Sequence, residues 1–567
     1  MKSTKSLTIS YKTIRIFAYS FLLLPILLFL LFCVRPIVSV PACILLGFVF
    51  FFANKEETDP EKSVTISLKQ ILLFGALCAI WCYLGGQGGQ FFQTSDWNER
   101  NAIFRDLIEK SWPVIYDTTD TALTYYIGHW LPAALLGKVV FLITHHGGWA
   151  FALGNIFLGM WTFFGVMITL LLILCGAGSK SKKGHWIVFG VFIAFSGLDI
   201  IGTLIQEGGF LRYVPEHLEW WAHRYQFSSI TTCLFWVFNQ AVTAWIATLC
   251  FFYEKTNRSY AFIVCCSLLS STLPCLGLAI LILGRVGCQI YGAVREKNLW
   301  HYIKRTFSFV NVVSTACLLP ILGTYLLSNS AFEKTVENAG STVQPGMTIG
   351  AKIFTVFLAV LAVAILTACV YYKQKVENKK LLNAAFSCAM LLVVMVAGLI
   401  ARPYTGKVYF IFLLLEFGIY WLLLLKNHYN DPMLYIIGGS LILAPQIRVG
   451  IGADFCMRAS IPALILLLLM CAKKLCNWVE SSPEKSNCKA EKITCWLLIA
   501  CLLIGSVTPL VEVHRGISKV AQAGTIKLRA DAIVTLDKYH PSGGIYGNFV
   551  SENYEETLFF KYFARRK

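Results

Sequence analysis

SDWNERNAIFRDLIEKSWPVIY, Ser95 to Tyr116, and LTYYIGHWLPAALLGK, Leu123 to Lys138, belong to a polar, acid-leaning stretch inside a chain that is otherwise almost continuously apolar. What flanks the stretch decides the fold. Lys69–Gly85 before it and Trp149–Cys175 after it are each long enough to cross a bilayer core, which takes roughly 17–25 apolar residues. The stretch is therefore a long loop between two membrane spans. Asp96, Glu99, Asp106, Asp117, Asp120 and His129 all fall within it. Polar side chains gathered in one loop directly after a span mark the first place to look for chemistry.

Working outward, the composition points the same way. Of 567 residues, 57% are hydrophobic, 14% aromatic and only 14% charged, with a mean hydropathy of +0.64. A soluble domain carries about 25% charged residues. The expected fold is all-α, a polytopic transmembrane helical bundle. The formal net charge is +18, but the basic residues come in short blocks between apolar runs rather than on one face. Membrane topology accounts for them, and no nucleic-acid partner is implied.

The span Ile14–Val34 follows Lys2, Lys5, Lys12 and Arg15, which keep the N-terminus cytoplasmic by the positive-inside rule. Arg35-Pro36 leads straight into a second span, Ile37–Ala53, so the first is an anchor rather than a removed signal. Lys69–Gly85 then carries the chain outward and places loop 86–146 on the extracytoplasmic side. Later spans alternate sensibly: Lys180, Lys182 and Lys183, the lysines from Lys373 to Lys380, and the block Lys473 to Lys492 fall inside. Ser328–Gly350, with Glu333 and Glu337, falls outside. Tyr260–Leu283 breaks the alternation, because a single span would put Arg285, Arg295, Lys297, Lys304 and Arg305 outside. Two half-spans around Ser271-Thr272-Leu273-Pro274 restore it. This gives about fifteen segments and an extracytoplasmic C-terminus. The domain reading is an N-terminal hairpin and link (1–68), a transmembrane core (69–511) and a short tail (512–567). In the tail AGTIKLRADAIVTLDKY reads as a short helix, packed on the outer face near the loop or lying on lipid headgroups.

Most of the twenty cysteines lie within spans, where cysteine acts as a small hydrophobe. There is no CxxC pair, HExxH, Walker loop or other metal-ligand spacing, so no cofactor is expected; a divalent cation stays open, with no ligand motif to mark it. His145-His146 reads as structural. No internal repeat is visible, which weighs against transporters built from inverted halves. Within the spans the clearest ionisable residues are Asp199 and Glu416.

Three segments fall on the outer side together: the Asp96 loop, EGGFLRYVPEHLEWWAHRYQFSS (Glu207 to Ser229) and RVGIGADFCMRASIPAL (Arg448 to Leu464). They bring Asp96, Glu99, Glu216 and Asp454, the histidines His129 and His217, the aromatics Tyr126, Trp220 and Trp221, and the arginines Arg448 and Arg458. Aromatic faces pack against sugar rings, and the arginine fork binds phosphate oxygens. That set suits a saccharide attached to a phosphate.

On this layout, and on SDWNERNAIFRDL, HLEWWA, FWVFNQA and DFCMRASIPAL, the chain resembles the GT-C superfamily of integral-membrane glycosyltransferases from about Lys69 to Val511. A paired Asp-Glu dyad, present in better-known members, is not evident here. The resemblance implies a GT-C-like fold with a catalytic first loop, a polyprenyl-phosphate sugar donor, a loop aspartate as general base and a bacterial inner-membrane location. The expected activity is transfer of a monosaccharide to a glycan or lipid acceptor at the extracytoplasmic face, among membrane lipids. Asp96 is the expected base with Glu99 next to it, and Arg458 the phosphate ligand with Arg448 as alternate. Asp454, Tyr126, His129, Glu216, His217, Trp220 and Trp221 are the further substrate-binding candidates. Plainer readings stand beside these. Asp96 with Glu99 forms a capping-box pattern, Arg458 can snorkel, and the tryptophans can form an aromatic belt. A lipid-linked sugar or polysaccharide transporter is the alternative function, and an envelope scaffold a third.

Overall fold

The computed structural model describes residues 6–59, 62–211, 216–331, 349–372, 379–401, 406–447, 453–481, 488–524, 533–539 and 545–566. It is 79% helical, and twelve of its helices are long and apolar enough to cross a membrane. The chain is a multi-pass membrane protein built as a helical bundle.

Strand β1 (Ser6–Ser10) leads into α1 (Tyr11–Cys33). The chain returns through α2 (Pro36–Lys55), and β2 (Ser63–Ser67) pairs antiparallel with β1, Ser6 opposite Ser67. Helix α3 (Leu68–Leu84) reaches the loop, which holds α4 (Trp97–Glu109), β3 (Ile115–Tyr116), β4 (Thr121–Leu123) and α5 (Leu131–Thr144). The bundle continues with α6 (Gly147–Ala177), α7 (Lys182–Ala194), α8 (Asp199–Gln206), α9 (Ile230–Tyr253), α10 (Tyr260–Leu268), α11 (Thr272–Arg295), α12 (Leu299–Thr306) and α13 (Phe309–Leu327). Next come α14 (Ile349–Tyr372), α15 (Lys379–Ala401), and α16 (Gly406–Leu413), which runs through a π turn into α17 (Ile419–His428). Helices α18 (Pro432–Leu443), α19 (Asp454–Ala459), α20 (Ile461–Glu480), α21 (Lys489–Gly505) and α22 (Val507–Ala523) follow, and α23 (Leu536–Tyr539) and β5 (Val550–Ser551) lie in the tail.

Serine starts many of these helices. Ser10, Ser67, Ser181, Ser229 and Ser308 each accept from the N–H three residues on, satisfying a first-turn donor that has no partner within the helix. Helices α9 and α20 run through the centre and are buried on nearly all sides, as helices apolar all round should be. By contrast α14 exposes Val356, Phe357, Val363 and Val370, the surface of a helix whose solvent is lipid.

One end of the bundle is tied by charge. Arg15 on α1, fully buried, pairs with Glu254 at 3.3 Å and donates to the carbonyls of Asn54 (3.0 Å) and Glu56 (2.8 Å). The Tyr11 and Tyr19 hydroxyls donate to Oε1 of the same carboxylate, which offsets part of the cost of burying the pair. Arg285 donates to the carbonyls of Phe251, Phe252 and Glu254, closing the C-terminus of α9.

Arg285 also settles how α10 and α11 run. Its guanidinium lies over the ring of Tyr260, the first residue of α10, although it sits well inside α11. The chain therefore enters, reverses at Leu269–Ser271 and comes back to the same end. At the reversal Gly128 N–H donates to the Leu269 carbonyl and Ser271 Oγ to that of Gln240, so the broken backbone is satisfied by protein. The tail is stitched to the loop: β5 adds to β4 in a small three-stranded sheet. Leu536 N–H donates to Asp106 and the Thr118 hydroxyl to Asp537. Of the tail segment read as a short helix, residues 525–532 lie outside the described residues; the described part forms α23.

Candidate functional site

At the end opposite Glu254, the loop is held by a fault in α9. Val237 takes φ −135° and ψ 32°, which breaks the helix ladder and frees carbonyls in the buried centre. Gln87 Nε2 donates to Leu234 O at 2.7 Å and Trp97 Nε1 to Phe235 O at 3.2 Å. The Trp97 ring stacks on Phe238 at 4.6 Å. The residue before this anchored tryptophan is Asp96, so the core of the bundle dictates where its carboxylate stands.

Asp96 is not a helix cap. Its backbone is helical, φ −62° and ψ −15°, and its side chain accepts no cap hydrogen bond. The capping-box reading is thereby corrected: Asp96 Oδ2 accepts from Arg100 Nη2 at 3.0 Å, and the Glu99 carboxylate receives the Tyr539 hydroxyl instead. The Asp96 side chain is 46% exposed. Arg100 is buried, and among the described residues its Nη1 has no hydrogen-bond partner.

Arg458 arrives from α19, 362 residues further along the chain. Gly277 of α11 lets α19 pack close, since a Cβ there would stand 1.9 Å from the Ala459 carbonyl. Gly128 packs as tightly on the same reversal, where a Cβ would meet Ser270 Oγ at 2.3 Å. The reversal thus brings α19 together with Tyr125 and Tyr126, whose ring centroids are 3.7 Å apart. Arg458 pairs with Asp454 at 3.3 Å, and its buried Nε has no partner among the described residues. Burial works against its charge, yet Asp454, the two tyrosines and Asp96 together hold the guanidinium protonated above its ordinary value. The outcome is two arginines with unmet N–H groups, two partly exposed carboxylates and a tyrosine pair around one place. Buried N–H groups without acceptors are uncommon, and a ligand oxygen is one way to satisfy them.

A second cluster lies beside the first. His217 Nδ1 is 2.7 Å from Glu512 Oε1, and its Nε2 is 3.7 Å from Glu219 Oε2. Trp236 Nε1 donates to Glu512 Oε2 at 2.8 Å, and Arg515, also bonded to Glu512, lies over the Trp236 ring. Gln226 and Ser228 donate to Glu219. Burial opposes a charge on His217, but the hydrogen bond it donates to Glu512 and the nearby Glu219 raise its pKa above the ordinary value. Deeper in, Trp221 Nε1 donates to Glu416 at 3.0 Å, while Ser196 and Thr508 donate to Asp199. Among the described residues no three His, Cys, Asp or Glu side chains are arranged to hold a metal ion.

Comparison of the chain with known protein families, curated proteins and solved structures gives no match.

The sequence candidates thus divide. Asp96, Tyr126, Asp454 and Arg458 share the first place, with Glu99 at its edge. His217 and Trp221 belong to the second cluster. Trp220 is 58% exposed and stands edge-on to His217. The Glu216 carboxylate pairs with Lys519 on the surface. His129 is a core residue: fully buried, its Nε2 is bonded to Thr162 Oγ1 at 3.0 Å and its ring packs on Phe238. Its Nδ1 has no partner among the described residues. Arg448 lies outside the described residues. Sequence reasoning passed over Arg100, although its i,i+4 spacing from Asp96 on one helix was a usable signal. It also passed over Glu219, Glu512 and Arg515; Glu512 and Arg515 were assigned to the tail, and no local pattern joins either to His217.

Proposed function

We propose that the protein is a membrane glycosyltransferase that moves a monosaccharide from a polyprenyl-phosphate-linked donor to a hydroxyl of a glycan or lipid acceptor. One observation carries the reading: the Arg458 guanidinium feels the charge of Asp96 and the tyrosine pair as well as that of its own partner Asp454, while Asp96 is paired with Arg100. In the reaction the acceptor oxygen bonds to the anomeric carbon and its proton passes to Asp96. The bond from that carbon to the donor phosphate breaks, and its electron pair leaves on the phosphate oxygen. Arg100 holds one Asp96 oxygen, and the other, with no protein donor among the described residues, takes the proton. The unmet Arg458 Nε and Arg100 Nη1 are available to phosphate oxygens, where negative charge grows as the bond breaks. Tyr125 and Tyr126 offer ring faces for the sugar.

The test uses purified protein and a labelled lipid-phosphate sugar, with product followed by mass. Asp96→Asn is expected to fold as the parent and to lose roughly 10²–10⁴-fold in turnover, the usual worth of a general base. Parental turnover in a folded Asp96→Asn would remove Asp96 from the chemistry.

A second reading, a lipid-linked sugar transporter, draws on the buried acids Asp199, Glu219, Glu416 and Glu512. Carboxyl groups linked inside a bundle are what a proton-coupled carrier uses. Movement of labelled donor across proteoliposomes with no new glycosidic bond, abolished by Asp199→Asn, would favour it.

A further inference from the structure

At the Glu254 end, between α2, α12 and α13, lies a cavity of about 490 Å³ that takes no part in the site above. Its ionisable lining is Lys55, Arg258, His301, Lys304, Arg305 and one acid, Glu56. The Glu56 carboxylate already receives the Thr256 hydroxyl at 3.1 Å. Among the described residues none of the four Lys and Arg side chains forms an ion pair. Arg305 Nε is buried there with no hydrogen-bond partner among the described residues. An excess of cations round a pocket, with an unmet guanidinium N–H, asks for an oxyanion.

The walls say what carries the anion. Helix α12 buries none of its residues. It exposes Leu299 and Trp300, and Lys304 lies over the Trp300 ring at 5.5 Å. Phe52 and Phe309, paired edge to face at 5.4 Å, line the cavity and are about half exposed. Exposed aromatics interleaved with Lys and Arg at the end of apolar helices mark headgroup depth. A basic pocket between such helices matches a lipid phosphate.

We propose that this pocket binds the phosphate of an anionic membrane lipid, with Arg258, Arg305 and Lys304 on its oxygens and the acyl chains running down past Phe52 and Phe309. A phosphate diester brings two charged or partly charged oxygens to a forked guanidinium, a fit that lysine alone does not provide. Glu56 opposes the ligand's charge and limits its affinity.

The full-length protein is reconstituted in an equimolar mixture of phosphatidylcholine and phosphatidylglycerol, and the lipids retained after mild extraction are counted by native mass spectrometry. The parent is expected to retain phosphatidylglycerol preferentially. Arg258→Gln with Arg305→Gln is expected to lower that preference by roughly 30-fold, from the usual contribution of a basic side chain at a charged membrane surface. Glu56→Gln is expected to raise it. Lys304→Gln, at an exposed position, weakens the preference without endangering the fold and serves if the double variant does not fold. Equal retention by parent and folded variants overturns the proposal. So does thermal protection of the detergent-solubilised parent by inorganic phosphate or a nucleoside diphosphate with no preference among lipids, because the anion would then come from solution.

Discussion

His217 and Glu512 are 295 residues apart in the chain, and their Nδ1 and Oε1 atoms lie 2.7 Å apart in a buried cluster. The contact fastens the segment between α8 and α9 to α22. It also makes the fold sensitive to pH. The folded pKa of His217 is raised above its ordinary value, so the stabilisation is complete below about pH 6.5 and is lost as pH rises through the folded value. The melting midpoint of the purified protein is expected to fall over that window. In His217→Gln the fall should vanish, and an unchanged pH profile in that variant would count against the assignment.

Asp106 gives a second pH effect of different origin. Burial pushes its carboxyl up to about 7, partly offset by bonds from the Tyr116 hydroxyl and Leu536 N–H. The folded state holds this proton more tightly than the unfolded state. Stability contributed here is therefore present at low pH and drains away between about pH 4 and 7, at up to ~1.4 kcal/mol per pH unit. Because Asp106 anchors the tail, protease cleavage near residues 533–539 should quicken over that range, and Asp106→Asn should flatten the curve.

Arg458 separates charge from geometry. Arg458→Lys keeps a cation but loses the fork, and should retain part of the transfer activity. Arg458→Ala should weaken both donor binding and turnover, by about 2–5 kcal/mol if the phosphate is left with a buried unmet charge. Parental kinetics in Arg458→Ala would dismiss the residue from donor binding.

Buried pairs are costly to halve. Glu254→Gln leaves the Arg15 charge enclosed without its counterion, and should cost about 3–5 kcal/mol in unfolding experiments. The combined change Arg15→Met, Glu254→Gln should recover part of that loss. A larger loss in the double variant would mean the pair's partners, not its charge balance, set the stability.

Native thiols report the orientation of the bundle. Cys288 and Cys488 are exposed, on the side the lysine blocks assign to the cytoplasm, whereas Asn98 is exposed in the Asp96 loop. An impermeant maleimide added to intact cells should spare Cys288 and Cys488 and modify Asn98→Cys. Modification of both native thiols from outside would invert the topology and take the functional reading with it.

Spans were legible in the sequence because hydropathy and loop charge are local properties. Roughly twenty apolar residues must cross lipid wherever they fall, and lysines stay inside whatever the helices touch. The same charge argument found the reversal at Ser271, with Arg285 as the residue that forced it. The loop itself was also visible, since polar residues massed between two spans need no partner to stand out. Asp96 could be read two ways, however, and only the path of α4 against the α9 fault decided that it accepts from Arg100 rather than capping its helix. Tertiary structure alone joined Asp96 to Arg458, His217 to Glu512, and Lys55 to Arg258 and Arg305. It also placed His129 in the core against Phe238, of which its loop position gave no sign. A side chain's neighbours across the bundle depend on helix rotation and close approach at positions such as Gly128 and Gly277, and no run of sequence around the side chain encodes either.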